Sequence, residues 1–218
     1  RGVRVGITYP EIYEMQIRAV FEALVELTKK KVKAHPQIMI PQISSIAELN
    51  HIKKTYDIIK KETEKKHKMK LKINFGTMIE VVRAALTAEE LASTAEFFSF
   101  GTNDLTQGTF SFSREDVEGK FLPEYMEKEL LERNPFQSID VTGVGSLIKM
   151  GIAAGRGVRP NMEVGICGEH GGDPSSIKFC HGEGLTYVSA SPHRIPIAIV
   201  AAAQAAIEQP KKVRKSRK

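Results

Sequence analysis

Apolar residues recur along this chain in two rhythms, short unbroken runs and a spacing of three or four residues, and the two alternate. Ile38 to Ile43 is an apolar run that predicts a buried strand. Behind it, Ser45 and Glu48 form a capping box, and Ile46, Leu49, Ile52, Tyr56 and Ile59 follow at helix spacing. The cycle then repeats. Lys72 to Ile79 reads as a strand, and Thr87 with Glu90 opens a helix through Leu91 and Ala95. Phe97 to Gly101, Glu163 to Cys167 and Thr186 to Ser189 are three further strands. Asp173-Pro174 and Ser191-Pro192 each resemble an N-cap followed by proline at the first helical position, so the last two strands also lead into helices. At the front, Pro10, Glu11 and Glu14 open a helix toward Lys31, with Ile12, Met15, Ala19, Ala23 and Leu27 on one face.

Strict alternation of strand and helix implies parallel pairing with right-handed crossovers, in either a barrel or an open doubly wound sheet. The barrel is favoured for two reasons. No glycine-rich nucleotide fingerprint follows the first strand, and residues able to do chemistry sit at the carboxyl ends of several strands. The expected fold class is therefore α/β, a parallel (β/α)8 TIM-type barrel. Only the carboxyl-terminal five βα units are seen, where a closed barrel needs eight. With a first residue Arg1 that is not methionine, the three missing units are expected upstream. The stretch from Gln107 to Asp140 is long and charged, with a short helix predicted near Tyr125 to Glu132, and reads as an active-site loop or partner surface.

The net charge of +6 invites a nucleic-acid reading, but Lys211, Lys212, Arg214, Lys215, Arg217 and Lys218 account for all of it. The rest of the chain is neutral. We expect a globular domain over residues 1–209, a basic disordered tail over 210–218 and no nucleic-acid partner. Its longest apolar runs fall short of the ~20 residues of a bilayer span, so no membrane helix is expected. Cys167 and Cys180 make no disulfide framework and fit a reducing compartment, hence a cytoplasmic location with an organelle left open.

Glu80 closes the second strand and Asp104 the third, one βα repeat apart, and paired carboxylates at strand ends suit a hard cation such as Mg2+. Taken alone, each acid reads equally well as a helix cap or a surface charge. Gly101-Thr102-Asn103-Asp104 can present successive backbone amides to an anion, or be an ordinary turn. Cys167 ends its strand just before a glycine-rich loop. A thiol with a pKa near ~8.5 stays mostly protonated at neutral pH and can serve as a general acid. Cys180 reads as a core residue, and His170 as a structural, loop-stabilising one. No zinc-ligand spacing and no G-x-x-x-x-G-K-[ST] loop is present.

Together these segments resemble the phosphoenolpyruvate-utilising (PEP-utilising) family, whose members include pyruvate phosphate dikinases, phosphoenolpyruvate synthase and Enzyme I of the sugar phosphotransferase system. FFSFGTNDLTQ (97–107) is similar to a motif shared by the dikinases and Enzyme I. GICGEHGGDP (165–174), with Arg159-Pro160-Asn161 upstream and Ser189 to Pro192 downstream, looks like the dikinase branch. The resemblance implies Mg2+ on Glu80 and Asp104, and pyruvate or PEP on Gly101, Thr102, Asn103 and Asp104. It also implies that Cys167 is the proton donor and that Arg114 and Arg1 lie near the substrate. A phosphohistidine domain of the same full-length chain, an ATP-grasp domain and a homodimer are implied as well. The whole reaction would convert ATP, phosphate and pyruvate to AMP, diphosphate and PEP. Two rival readings are a Mg-dependent barrel lyase acting on the pyruvate enolate, and a non-catalytic dimerisation scaffold whose tail binds a polyanion.

Overall fold

The computed structural model describes residues 1–209, so the basic tail lies outside the described residues. In chain order the elements are α1 (Val3–Thr8), α2 (Pro10–Lys29), β1 (Gln37–Ile40), α3 (Ile46–His67), β2 (Asn74–Ile79), α4 (Val82–Leu86), α5 (Ala88–Thr94), β3 (Phe97–Gly101), α6 (Thr102–Phe110), α7 (Arg114–Val117), α8 (Phe121–Glu127), α9 (Val144–Val158), β4 (Glu163–Cys167), α10 (Pro174–Gly182), β5 (Tyr187–Val188) and α11 (Ile195–Glu208). The strands form one open sheet in the order β1-β2-β3-β4-β5, so the fold is α/β as expected. Parallel pairing sets Ile38 against Phe75 and Ile40 against Thr77, and Gly165 against Tyr187. No helix among the described residues is long and apolar enough to cross a membrane.

Several elements differ from expectation. β3 and β4 have the expected bounds, whereas β1 stops at Ile40 because Pro41 has no N–H to continue a ladder. The buried face of α2 is Ile17, Phe21, Leu24 and Val25, and Met15 is 61% exposed. The expected alanine-bearing stripe had the same spacing, but the bulkier one removes more apolar surface from water. The capping box at Ser45 and Glu48 is present. Thr87 does not cap α5, because its hydroxyl donates back to the Arg83 carbonyl of α4. Ser191 makes no side-chain cap, and a short 3-10 turn, Pro192–Arg194, precedes α11. In the long insertion the helices are α7 and α8, the latter ending at Glu127.

The chain divides into two compact units, the first comprising Arg1–Ser99 with Met150–Glu163 and the second Phe100–Lys149 with the residues from Val164 onward. In the first, Phe21, Tyr56 and Phe75 stack in a tilted series, with ring centroids 5.3 and 5.1 Å apart. The Tyr56 hydroxyl is buried but donates to the Ile73 carbonyl at 2.6 Å, which removes the cost of burying it. Gly76 is required where it is, since a Cβ there would collide with the ring and carbonyl of Phe97. Arg159 donates from Nε to the Ala92 carbonyl at 2.7 Å and from Nη2 to that of Ser93 at 3.0 Å, so a cation closes the carboxyl end of α5.

In the second unit, Val117, Leu122 and Phe136 form a small core under the insertion, joined by Phe112, Phe121 and Leu131. Ile177, Ala198 and Ala201 pack α10 against α11. Cys180 is buried in this unit, and burial pushes its thiol pKa up to about 12. Asp173 caps α10 as expected: its Oδ2 accepts from the Ser176 N–H at 2.8 Å and from the hydroxyls of Ser138, Ser175 and Ser176. Burial alone would raise its pKa, but these donors outweigh it and hold the carboxyl below its ordinary value.

Two outcomes are expected. Because the Asp173 pKa is depressed on folding, its contribution is present above the unfolded-state value of ~3.9 and is lost as pH falls through the folded one. Asp173→Ala should cost about 1–2 kcal/mol at neutral pH in urea unfolding, and the difference should shrink on acidification. A cost that stayed constant with pH would mean that the ionised acceptor is not its source. Arg159→Met should cost about 1.5–3 kcal/mol by the same measurement, since two helix-end carbonyls lose a charged donor. No loss would show that water replaces the guanidinium at no cost.

Candidate active site

In the first unit, Glu80 directly follows β2 and is only 6% exposed. Its Oε1 accepts from the backbone N–H of Gln42 at 2.6 Å, and Gln42 itself has a left-handed backbone, φ 59°. Thr77 ties the same strand to β1 through a 2.9 Å hydrogen bond from its hydroxyl to the Ile40 carbonyl. Burial, and then the negative charge of Glu80, raise the pKa of nearby Tyr13. Arg1 is exposed at the start of the same unit, two residues before α1. The Val3 N–H donates to the Pro41 carbonyl at 3.1 Å, which fixes the start of α1 beside the segment that follows β1.

In the second unit, β3 ends at Gly101 and helix α6 begins at Thr102. Asp104 is thus in the first turn of a helix rather than at a strand end or in a tight turn. Gly101 takes the N-cap position and has no side chain to cap with. The first N–H groups of α6 therefore have neither an intrahelical acceptor nor a side-chain cap, and lie at the positive end of the helix dipole. A carboxylate or phosphate oxygen suits such a place. Asp104 Oδ1 accepts from the Gln107 amide at 3.3 Å, and Gln107 Oε1 accepts from the Arg114 backbone N–H at 3.0 Å.

The Arg114 side chain is held at three points. Nε donates to Glu118 at 3.0 Å, Nη1 pairs with Glu169 at 3.0 Å, and the guanidinium lies 5.6 Å from the centre of the Phe136 ring. Burial works against its charge, but the two carboxylates outweigh this and raise its pKa. Burial raises the Glu169 pKa in turn, while hydrogen bonds from Arg114 and Asn103 bring it below the ordinary carboxylate value.

Cys167 is the last residue of β4, half-buried, with Sγ 3.6 Å from the Phe100 carbonyl at the end of β3. The Thr102 hydroxyl lies 3.2 Å from the Cys167 carbonyl. Gly168 follows with φ 99°, a backbone that side chains disfavour, and a Cβ there would press on the Asn103 amide. A 3-10 turn, Glu169–Gly172, then turns His170 fully inward. Its Nδ1 lies 2.6 Å from the Thr102 hydroxyl and its Nε2 2.9 Å from the Pro135 carbonyl. Desolvation dominates and lowers its pKa. Asn103 Oδ1 and Glu169 Oε2 are buried without a hydrogen-bond partner among the described residues.

The second unit thus brings together Gly101, Thr102, Asn103 and Asp104 with Cys167, and links Arg114 to them through Gln107 and Glu169. Glu80 and Arg1 belong to the first unit. The reading of His170 as a loop-stabilising residue agrees with its burial and its two partners. The pairing of Glu169 with Arg114 and the relay through Gln107 were not read from the sequence, since loop geometry, and not spacing, creates them. Among the described residues, no group of three or more His, Cys, Asp or Glu side chains is gathered to hold a metal. A two-carboxylate site completed by water and substrate would not need one.

Comparison with known proteins identifies the family. The model of the PEP-utilising enzyme, PEP-binding domain, matches residues 1–207. A pyruvate, phosphate dikinase of Entamoeba histolytica is 54% identical over 212 residues, covering 97% of this chain and 24% of that protein. One from Clostridium symbiosum is 51% identical over 208 residues, covering 95% and 24%. A chloroplastic pyruvate, phosphate dikinase 1 of Arabidopsis thaliana is 53% identical over 212 residues, covering 95% and 21%. The chain spans about a quarter of the length of the curated relatives it matches. Among solved structures, a citrate lyase of Burkholderia xenovorans superposes with a TM-score of 0.50 at 15% identity, over 78% of this chain and 49% of that one, a likeness of fold alone. With the match spanning nearly its whole described length, the chain belongs to the PEP-utilising enzyme family and carries that family's PEP-binding domain.

Proposed function

We propose that residues 1–209 serve as the PEP/pyruvate-binding domain of a pyruvate phosphate dikinase, a phosphotransferase that interconverts pyruvate and PEP using a phosphohistidine on a separate domain of the same full-length chain. The observation that carries this reading is the meeting of a strand-end thiol with an uncapped helix start: Cys167 Sγ lies 3.6 Å from the carbonyl of Phe100, the residue before the glycine that opens α6. An anion seated on the N–H groups of Thr102, Asn103 and Asp104 comes within reach of a proton donor. The names and identities of the relatives support the substrate pair. The whole reaction, from ATP, phosphate and pyruvate to AMP, diphosphate and PEP, and assembly as a homodimer belong to the same proposal.

Glu80 and Asp104 are the proposed ligands for Mg2+. The donor chemistry fits, since both are carboxylates and Glu80 is buried yet tied to a backbone donor, as an ionised group must be. A bound Mg2+ supplies positive charge where negative charge develops on the substrate's oxygens. The helix-start amides hold the carboxylate end of the substrate. Arg114, braced by Glu118 and Glu169, adds positive charge beside the turn that carries Cys167. Arg1 is proposed to contribute from the first unit. In the pyruvate-forming direction, the phosphoryl group leaves for the histidine and the Cys167 thiol gives its proton to the methylene carbon. In the reverse direction the thiolate takes a methyl proton, and the enolate oxygen accepts the phosphoryl group.

The two roles separate experimentally. In the complete enzyme, Cys167→Ala is expected to abolish exchange of pyruvate methyl protons with solvent, followed by NMR in deuterium oxide, while ATP-driven histidine phosphorylation persists. Rapid exchange in that variant would mean that another group moves the proton. Glu80→Ala and Asp104→Ala are expected to lose the magnesium-dependent part of oxalate binding, read by calorimetry with and without the metal. Unchanged magnesium dependence in both variants would remove them as ligands.

A further inference from the structure

The ring of His170 lies in a chain of three contacts that needs three protons. Nε2 is 2.9 Å from the Pro135 carbonyl, Nδ1 is 2.6 Å from Thr102 Oγ1, and Oγ1 is 3.2 Å from the Cys167 carbonyl. Both ends of the chain are carbonyl oxygens, which only accept. A neutral imidazole brings one proton and the threonine hydroxyl one more, so a neutral ring leaves one contact without a proton.

Distance decides which one. With Nε2–H donating to Pro135 and the Thr102 hydroxyl donating to Nδ1, the two short contacts are filled and only the 3.2 Å contact is empty. The other neutral tautomer sets a bare Nε2 against the Pro135 oxygen at 2.9 Å, lone pair against lone pair. An imidazolium fills all three contacts: both ring nitrogens donate, and the Thr102 hydroxyl turns to the Cys167 carbonyl.

We propose that His170 is a positioning residue that sets the direction of the Thr102 hydroxyl, toward the ring when the ring is neutral and toward the Cys167 carbonyl when both ring nitrogens carry protons. Its reach is wide for one side chain. Pro135 belongs to the long insertion, Thr102 opens α6 and Cys167 ends β4, so the ring's protonation is transmitted to the turn that carries the thiol. The charged groups facing the ring are Glu169 and Asp173, which favour the imidazolium, and Arg114, which opposes it, while burial opposes it most strongly. The resting ring at neutral pH is therefore neutral. Acidification, or an anion at the start of α6, favours the doubly protonated ring and reverses the Thr102 hydroxyl. The consequence for catalysis rests on the reading of Cys167 as proton donor given above, whereas the proton count does not.

The test has two arms, so that the two can fail separately. The first is nitrogen NMR of histidine-labelled chain, with the His170 signals assigned by their loss in His170→Gln. At neutral pH we expect a bare Nδ1 and a protonated Nε2, with both protonated at lower pH while the chain is still folded. A bare Nε2 at neutral pH, or a ring that stays neutral until the chain unfolds in acid, overturns the proposal whatever the protein's activity. The second arm is methyl-proton exchange in the complete enzyme. His170→Gln keeps an amide donor for Pro135 but offers Thr102 no ring nitrogen. It should slow exchange on the order of 10-fold through kcat, with KM for pyruvate little changed, and should remove the His170 limb of the pH profile. A profile unchanged from the parent overturns the link to Cys167. Rapid exchange persisting in Cys167→Ala, tested separately above, would instead count against the reading of the thiol.

Discussion

The 2.6 Å hydrogen bond between the Thr102 hydroxyl and the His170 ring, sealed from water, is the contact on which the candidate site depends. Each partner is fully buried and polar, and each would cost about 1–3 kcal/mol if left unpaired. That penalty holds three distant stretches of chain together: the start of α6, the turn after β4, and Pro135 in the insertion. Cys167 and the Gly101–Asp104 segment keep their places because the groups around them cannot be separated without exposing or orphaning these atoms.

A second constraint is the absence of a cap at the start of α6. At position 101 a fully buried strand passes at once into a helix, and glycine there has no side chain to accept from the first N–H groups of that helix. Such ends are ordinarily closed by serine, threonine or aspartate, as Ser45 and Asp173 do elsewhere in this chain. Helix α6 shares an uncapped start with α2, α5 and α11, among others, so what sets it apart is the Cys167 thiol beside the end of β3 rather than the missing cap alone.

The first unit shows the same economy in its packing. Phe21, Tyr56 and Phe75 come from a helix, a second helix and a strand, and the one hydroxyl among them is satisfied by the Ile73 carbonyl. Gly76 makes room for Phe97, and Arg159, some sixty residues further along, closes the helix just before that strand. Glu80 stands at the end of β2, the strand that carries Gly76, buried and held by the Gln42 amide. A carboxylate in that setting keeps little rotational freedom.

By itself the sequence determined the alternation of strands and helices, the bounds of β3 and β4, the capping box at Ser45, the cap at Asp173 and the core position of Cys180. These are local patterns, and local sterics and hydrogen bonding suffice to produce them. It also supplied the motifs around Gly101–Asp104 and Cys167, because a glycine and a polar run at a strand end are visible in the letters. Only the tertiary structure decided which stripe of α2 is buried, since two stripes share one period and the choice depends on what packs against them. It alone turned Gly101–Asp104 from a turn into a helix start. It alone paired Arg114 with Glu169 and set His170 between Thr102 and Pro135, because residues 55 and 68 positions apart meet only when loops with no periodicity of their own are folded against each other.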